Sequence, residues 1–411
     1  MNRMPTLILL WSFLGCLLLS AGSAAQEQHV TIIVNANVID GVSAEPIRGV
    51  HVVIRDGRIE KIAPGKVEAP AGATVVDLQG KWLLPGFIDG HVHIANRGAA
   101  HLALRSGVTT ARSMGVAHFA DVGLRELHRG GVMELPDFIA AGYHVRPNLA
   151  EQIFLDRPDL RDLMGELRGE DNIRRVVRAM LERKVDVIKI LATERAGLPD
   201  TDPRKPVFTE SELAAAVDEA RKGGITVAAH AHGDEGAAAA VRAGVKTIEH
   251  GTYMSEATLR LMAQRGTCLD PTIATVADLV EPGGDYDNAL LAIRGRSMLP
   301  RVRETTRNAL KLGVTVVAGT DTGYGASSSR RMGHEIIELM ELGMPPMEAI
   351  KSGTSTAAAC YGIAGRTGSI QAGLEADLIV VDRDPRAYPE ALLDILAVFN
   401  NGALVVNRLK F

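Results

Sequence analysis

Two histidines separated by one residue, His91 and His93, are the strongest chemical signal in this 411-residue sequence. They end the motif PGFIDGHVH at 85–93, which is apolar enough to form a buried strand. Side chains alternate between the two faces of a strand, so both imidazoles would project from the same face and could bind one metal ion. A His-x-His pair alone is weak evidence, because it also arises by chance.

Later apolar segments end in four further residues that could bind a metal: Lys189, His230, His250 and Asp321. Imidazole nitrogen and carboxylate oxygen suit zinc and related divalent cations. Each residue alone also has an ordinary structural explanation, such as a buried histidine or a helix cap. If all the segments are parallel strands, their carboxyl ends converge on one mouth. The joint placement therefore favours a metal centre.

The elements needed to bring these residues together are strands alternating with helices. Helical patterns occur at 211–222, 236–243, 255–264 and 300–312. Eight apolar, β-branched segments are candidate strands, at 83–94, 108–113, 137–141, 185–191, 225–229, 246–249, 267–271 and 314–318. Parallel strands require crossover connections, so the alternation predicts an α/β fold with a (β/α)8 TIM barrel over 83–364.

Both ends of the sequence show a different pattern, with alternating apolar and polar residues in short segments. Such segments lie within 26–82 and again within 365–411, where Asn401-Gly402 is a hairpin turn signal. Chain termini often lie close together. We therefore expect the two ends to supply antiparallel strands to one small β-sandwich beside the barrel.

Residues 1–25 have the three parts of a secretory signal peptide: a basic start, an apolar run at 7–19, and small residues ending at Ala25. The apolar run is shorter than the roughly 20 residues that a membrane span needs. We expect cleavage after Ala25, export to the periplasm or medium, and no stable membrane span afterwards. The net charge of −4, with basic residues spread along the chain, argues against a nucleic-acid partner.

Two cysteines, Cys268 and Cys360, remain after the expected cleavage. Two cysteines in a chain of this size make no disulfide framework. They lie far apart in the sequence and in different predicted elements. We therefore interpret both as packed, unpaired thiols.

The sequence resembles the amidohydrolase superfamily, and within it the imidazolonepropionase-like branch of Xaa-Pro and Xaa-Arg dipeptidases (carboxypeptidases) and ochratoxinase. The resemblance rests on GKWLLPGFIDGHVH at 80–93 and on the glycines and the Ala-Asp-Leu of 368–378, and it spans essentially the whole mature chain. It implies two divalent metal ions, zinc above all. The implied ligands are His91, His93 and Asp321 for the first metal, His230 and His250 for the second, and Lys189 between them as a carbamate formed with carbon dioxide.

The resemblance also implies catalytic and substrate-binding roles. Asp321 would shuttle a proton as well as bind metal, with a ligand-only role as the alternative. Substrate contacts are implied at His144 and His232, with Tyr143 and Arg195 beside them. His232 replaces a tyrosine that is usual in related carboxypeptidases, and 142–146 and 192–197 also depart from the family pattern. Arg195 or Arg146 could contact an anionic group, or be solvated.

The expected function is metal-dependent cleavage of an amide bond in a small molecule, a dipeptide or an N-acyl amino acid. Hydrolysis of a cyclic amide, a carbamate or a xenobiotic amide is the alternative among enzymes. A non-catalytic exported binding protein is the alternative outside them. Homo-oligomerisation is compatible with all three.

Overall fold

Strands and helices alternate through the middle of the chain in the computed structural model, which describes residues 29–65, 68–281 and 288–409. The expected signal peptide, 1–25, lies outside the described residues. The strands are β1 (Val30–Val38), β2 (Ile47–Arg55), β3 (Arg58–Pro64), β4 (Thr74–Asp77), β5 (Trp82–Pro85), β6 (Phe87–Val92), β7 (Val108–Ser113), β8 (Asp137–Ile139), β9 (Val187–Leu191), β10 (Thr226–Gly233), β11 (Thr247–Tyr253), β12 (Cys268–Asp270), β13 (Leu378–Val381), β14 (Ala397–Asn400) and β15 (Ala403–Asn407).

The helices agree with the predicted pattern for most of the middle region. They are α1 (Arg97–Arg105), α2 (Ala120–Arg129), α3 (Ile153–Asp156), α4 (Glu170–Glu182), α5 (Glu210–Lys222), α6 (Asp234–Ala243), α7 (Glu256–Arg265), α8 (Ile273–Asp278), α9 (Ala289–Lys311), α10 (Met332–Glu341), α11 (Pro346–Ser352) and α12 (Ser355–Cys360). The sequence predicts a helix over 300–312, but in the structure the helix begins earlier and Pro300 lies inside the longer α9. No helix within the described ranges is long and apolar enough to cross a membrane.

The two chain ends meet in one eight-stranded sheet, in the order β15-β14-β13-β5-β1-β2-β3 with β4 paired to β1. The expected meeting of the ends is therefore present. Pairing is antiparallel except that β1 runs parallel to β4 and β5. Apolar side chains such as Ile33, Val52, Leu378 and Phe399 are fully or almost fully buried on it. The structure shows one sheet here, and the second layer of the expected sandwich stays a prediction.

The middle strands form two parallel sheets, β6-β7-β8 and β9-β10-β11-β12. A parallel bridge between Val145 and Ile190 connects the segment after β8 to β9. A second parallel bridge, between Leu269 of β12 and Val316, connects β12 to a later segment. The predicted eighth strand, 314–318, is therefore present only as an isolated bridge. All these strands run parallel, so their carboxyl ends face the same side of the molecule.

Gly86 marks the passage from the end sheet to the parallel sheets. The sequence predicts one strand over 83–94, but the structure divides it into β5, in the end sheet, and β6. A Cβ atom at Gly86 would lie 2.1 Å from Oγ1 of Thr109, so only glycine fits at this crossing. The expected domain boundary between residues 82 and 83 consequently falls inside β5.

Cys268 and Cys360 form a disulfide bond, so the interpretation as unpaired thiols is wrong. Cys268 begins β12, and Cys360 ends α12, which packs against the same apolar cluster as Ile88 and Val317. The two Cα atoms are 6.7 Å apart although 92 residues separate them in sequence. Parallel strands bring distant segments side by side, and sequence spacing cannot reveal such a pair.

Replacing Cys360 by serine is expected to lower the free energy of unfolding by about 2–4 kcal/mol, because the bond constrains a long loop in the unfolded chain. Denaturant titration of the oxidised wild type, the reduced wild type and Cys360→Ser measures this change. The reduced wild type should have the same free energy of unfolding as Cys360→Ser. Two titratable thiols in the unreduced, denatured wild type would contradict the pairing.

Candidate metal centre

The six predicted metal ligands converge at the carboxyl ends of the parallel strands. His91 Nε2 lies 3.3 Å from Lys189 Nζ and 3.4 Å from Asp321 Oδ1. The His250 ring centroid is 5.1 Å from that of His91 and 4.6 Å from that of His230. All six residues line one cavity: His91, His93, Lys189, His230, His250 and Asp321. We call these six residues the cluster.

Hydrogen bonds on the far side of the imidazoles orient them toward the cluster. Nδ1 of His91 lies 2.9 Å from the Glu249 carboxylate, and Nδ1 of His93 lies 2.8 Å from the Gly115 carbonyl. The carbonyl can only accept, so Nδ1 of His93 carries the proton and Nε2 keeps a lone pair. Histidines that bind metals typically donate their other N–H to a carboxylate or carbonyl in this way.

Buried Asp89 fixes the positions of two candidate ligands at once. Its Oδ1 accepts from the backbone N–H of His91 at 3.2 Å and from that of Thr320 at 2.9 Å. Its Oδ2 accepts from the hydroxyls of Thr320 and Tyr324, each at 2.7 Å. Asp89 thereby joins the end of β6 to the turn that carries Asp321.

Asp321 and His250 both have left-handed backbone conformations, with φ of 53° and 75°. Non-glycine residues rarely adopt this conformation, and it concentrates at functional sites. The Asp321 N–H donates to the His91 carbonyl at 2.7 Å, which holds the turn against β6.

Burial sets the ionisation of the cluster. It lowers the pKa of Lys189 to about 8, with nearby Glu249 and Asp321 opposing the shift. Burial and the neighbouring lysine lower the pKa of His91 to about 4. Burial opposes ionisation of Asp321, but His91 and His93 beside it hold its pKa below the ordinary value. Neutral imidazoles with an ionised carboxylate are the forms that bind metal.

The donor chemistry of the site fits divalent cations. Ligand atoms of His91, His250 and Asp321 lie within 4.8 Å of one another, as do those of His230, His232 and His250. Imidazole nitrogens and carboxylate oxygens grouped this closely are the kind of ligand set that zinc prefers. His232, which the sequence assigned to substrate contact, is thus packed among the cluster, with its ring stacked 4.6 Å from that of His250.

The other predicted substrate residues divide into two groups. His144 and Arg195 line the cavity together with His232. Tyr143 does not: its hydroxyl donates to the Asp156 carboxylate and accepts from the His118 N–H. Gly142, with φ of 68°, turns the chain after β8 just before these two residues.

A buried ion pair beneath the cluster was missed from the sequence. Arg112 donates to Glu249 at 3.2 Å and to the Thr247 hydroxyl at 3.0 Å, and its guanidinium lies 4.4 Å from the centre of the Tyr361 ring. Both charged residues are almost fully buried. The available signal was a glutamate in the apolar stretch just before His250, since buried charges are almost always paired.

Comparisons with known proteins identify the family of this chain. A sequence model of the amidohydrolase family matches residues 82–405. Ochratoxinase of Aspergillus niger is 31% identical over 53% of this chain and 45% of that protein, so the match spans less than half of that relative. Imidazolonepropionase of Symbiobacterium thermophilum is 26% identical over 89% of this chain and 92% of that protein.

Among solved structures, a Xaa-Pro dipeptidase with methionine bound in its active site has a TM-score of 0.82 at 28% identity. That similarity covers 91% of this chain and 99% of the dipeptidase. The resemblance inferred from the two sequence motifs is therefore confirmed, and the chain belongs to the amidohydrolase family, a family of hydrolases.

Proposed function

We propose that this protein is a metal-dependent hydrolase that cleaves the amide bond of a dipeptide or an N-acyl amino acid and releases the C-terminal residue. The observation that carries the proposal is the contact of buried His91 with two other residues of the cluster. Its Nε2 lies 3.3 Å from Lys189 Nζ and 3.4 Å from Asp321 Oδ1. The family and the Xaa-Pro dipeptidase likeness support amide hydrolysis.

We also propose that the parallel strands close into one (β/α)8 barrel. Bridges Val145–Ile190 and Leu269–Val316 extend the strand series past both sheets, and a further bridge between Val92 and Thr322 returns to β6. These three bridges support a closed ring, in which the carboxyl ends of the strands surround the cluster.

Two divalent cations, zinc above all, are proposed to occupy the cluster. His91, His93 and Asp321 would hold the first, and His230 and His250 the second. Lys189 would bridge them after carboxylation by carbon dioxide, since a protonated amine cannot be a ligand. Its lowered pKa supports this, because the reaction requires the unprotonated amine. Bound cations would supply a water nucleophile ionised near neutral pH and polarise the scissile carbonyl.

Asp321 is proposed to move the proton. Its carboxylate starts ionised and lies at the cluster, 14% exposed toward the cavity. It would accept the proton of the attacking water and deliver it to the leaving nitrogen. An amine anion is too basic to leave unprotonated, so the reaction needs such a general acid. His144 and His232, which both line the cavity, are proposed to contact the substrate.

Xenobiotic amide hydrolysis is the second candidate, and the similarity to ochratoxinase favours it. The two candidates differ in the need for a free carboxylate beside the scissile bond. Converting that carboxylate to an amide should abolish turnover under the first proposal and spare it under the second.

Export is proposed as well. The Cys268–Cys360 disulfide supports it, because structural disulfides persist in oxidising compartments and are rare in the cytosol. The amino-terminal sequence of the purified mature protein tests this proposal, and we expect Gln26 as the first residue.

Removing the metals is expected to abolish turnover. A library of dipeptides and N-acyl amino acids is assayed before and after chelation, with metal content measured by mass spectrometry. Zinc with bicarbonate should restore activity, and zinc without bicarbonate should restore less. Full turnover by metal-free protein would contradict the proposal, and unchanged ligand binding without any turnover would favour a binding protein.

A further inference from the structure

A second cavity of about 690 Å³ lies next to the cluster. Leu191 and Arg195 line both cavities, so they form the wall that the two share. We call this space the outer cavity.

Two arginines, Arg146 and Arg195, line the outer cavity, and Arg195 lines the cavity of the cluster as well. Arg146 follows Val145, whose N–H donates to the Lys189 carbonyl at 2.8 Å and whose carbonyl accepts from the Leu191 N–H at 3.0 Å. Arg146 therefore begins the segment that runs beside the strand of Lys189. Burial, and then the positive charge of Arg195, lowers the pKa of Arg146, as expected of guanidinium groups that lie near each other.

The other cations that line the outer cavity have acidic partners. Lys205 binds Glu194 at 2.8 Å, and Arg168 binds Glu166 at 2.6 Å. The second oxygen of Glu194 accepts from the Asp202 N–H at 2.9 Å, so both oxygens of this carboxylate already accept a hydrogen bond.

Arg146 and Arg195 differ from these pairs. Within the described residues, neither guanidinium forms a hydrogen bond or an ion pair with a carboxylate. Both are only partly exposed. These two cations repel each other, and a bound carboxylate would offset that repulsion. Glu151 and Asp200 also line the outer cavity, but among the described residues neither forms an ion pair with Arg146 or Arg195.

The loop that carries Arg195 is held in place. Arg294, on α9, donates to the carbonyls of Ala196 and Thr201, each at 2.6 Å, and also to that of Leu198. A guanidinium binds a carboxylate most strongly when its position is fixed beforehand. Arg195 is thus part of a preformed wall.

The Nε2 of His144 is not free to donate to an anion. It lies 2.6 Å from the Met114 carbonyl, which can only accept, so that nitrogen carries the proton and its N–H is already used.

We propose that Arg146 and Arg195 together bind a carboxylate on the part of the substrate that reaches the outer cavity. The preferred substrates are then dianionic: amides with one carboxylate beside the scissile bond and a second one several bonds away. This inference rests on the proposed function for the cleaved bond, and it assigns the substrate class.

Binding of glutarate to the metal-loaded protein tests the assignment without requiring turnover. Glutaramate, the monoamide, keeps one carboxylate for the cluster and lacks the second charge. Calorimetry should show that the wild type binds glutarate about tenfold to a hundredfold more tightly than glutaramate, the range for a charge-assisted hydrogen bond. Arg195→Gln and Arg146→Gln should each reduce this preference to within about threefold.

Arg168→Gln is the matched control, because Arg168 lines the same cavity but already has an acidic partner. It should keep the preference for glutarate. Equal affinity for both compounds in the wild type, or an unchanged preference in both arginine variants, would overturn the assignment. Absence of any amide turnover would count against the proposed function alone, since the binding preference is measured separately.

Discussion

Asp321→Asn is expected to lower kcat by about a hundredfold to ten-thousandfold, the range for loss of a general acid–base group. Asparagine keeps the shape and the backbone hydrogen bond from residue 321 to the His91 carbonyl, so the turn should remain. It cannot accept a proton from water and return it to the leaving nitrogen. The loss should therefore appear in kcat more than in KM.

Metal content separates the two roles considered for Asp321. If the residue shuttles a proton, the variant keeps close to the wild-type metal content while kcat falls. If it is only a ligand, metal content and activity should fall together, and added zinc should restore both. Asp171→Asn, at the exposed start of α4, is the control and should retain full activity. An Asp321→Asn enzyme with unchanged kcat would contradict both roles.

Arg112→Met is expected to lower the free energy of unfolding by about 3–5 kcal/mol, because it leaves the buried Glu249 carboxylate without its cation. The guanidinium is 2% exposed and the carboxylate 0%, so water cannot replace the lost partner. The Glu249 carboxylate also binds Nδ1 of His91. Without Arg112 the carboxylate would move, and the imidazole ring of His91 would move with it. Metal affinity should therefore fall by about tenfold to a hundredfold.

The double variant Arg112→Met with Glu249→Gln tests the cause. Removing both charges should recover part of the lost stability, since the unpaired carboxylate is then gone. Arg129→Met, which removes an exposed arginine from α2, should change stability by less than about 1 kcal/mol. Denaturant titration measures all four proteins. If Arg112→Met were as stable as the wild type, the Arg112–Glu249 ion pair would contribute nothing to the free energy of unfolding.

The cluster could be predicted from the sequence because two simple regularities determine it. Alternation along a strand places His91 and His93 on one face, and parallel strands present Lys189, His230 and His250 at the same end. The first regularity is local to one strand, and the second follows from the parallel orientation of the strands. Neither depends on how individual side chains pack.

What the sequence could not show depends on contacts between distant segments. The disulfide requires α12 to pack against the start of β12, and the role of Glu249 requires Arg112 from another strand. Tyr143 lies outside the cavity lining because its hydroxyl bonds Asp156 and the His118 N–H, contacts that the sequence alone does not reveal. The division between β5 and β6 depends on the close approach of Thr109 to Gly86.

The sheet that contains β5 and β13 makes the folding of β5 depend on a strand synthesised much later. Leu84 of β5 pairs with Ile379 of β13, so the partner of β5 leaves the ribosome only after β6 to β12 and the helices between them have been made. Until then one edge of β5 stays open to pairing with other molecules. Such long-range pairing also folds slowly. Nascent chains stalled before β13 should therefore aggregate, whereas chains that extend through β15 should fold.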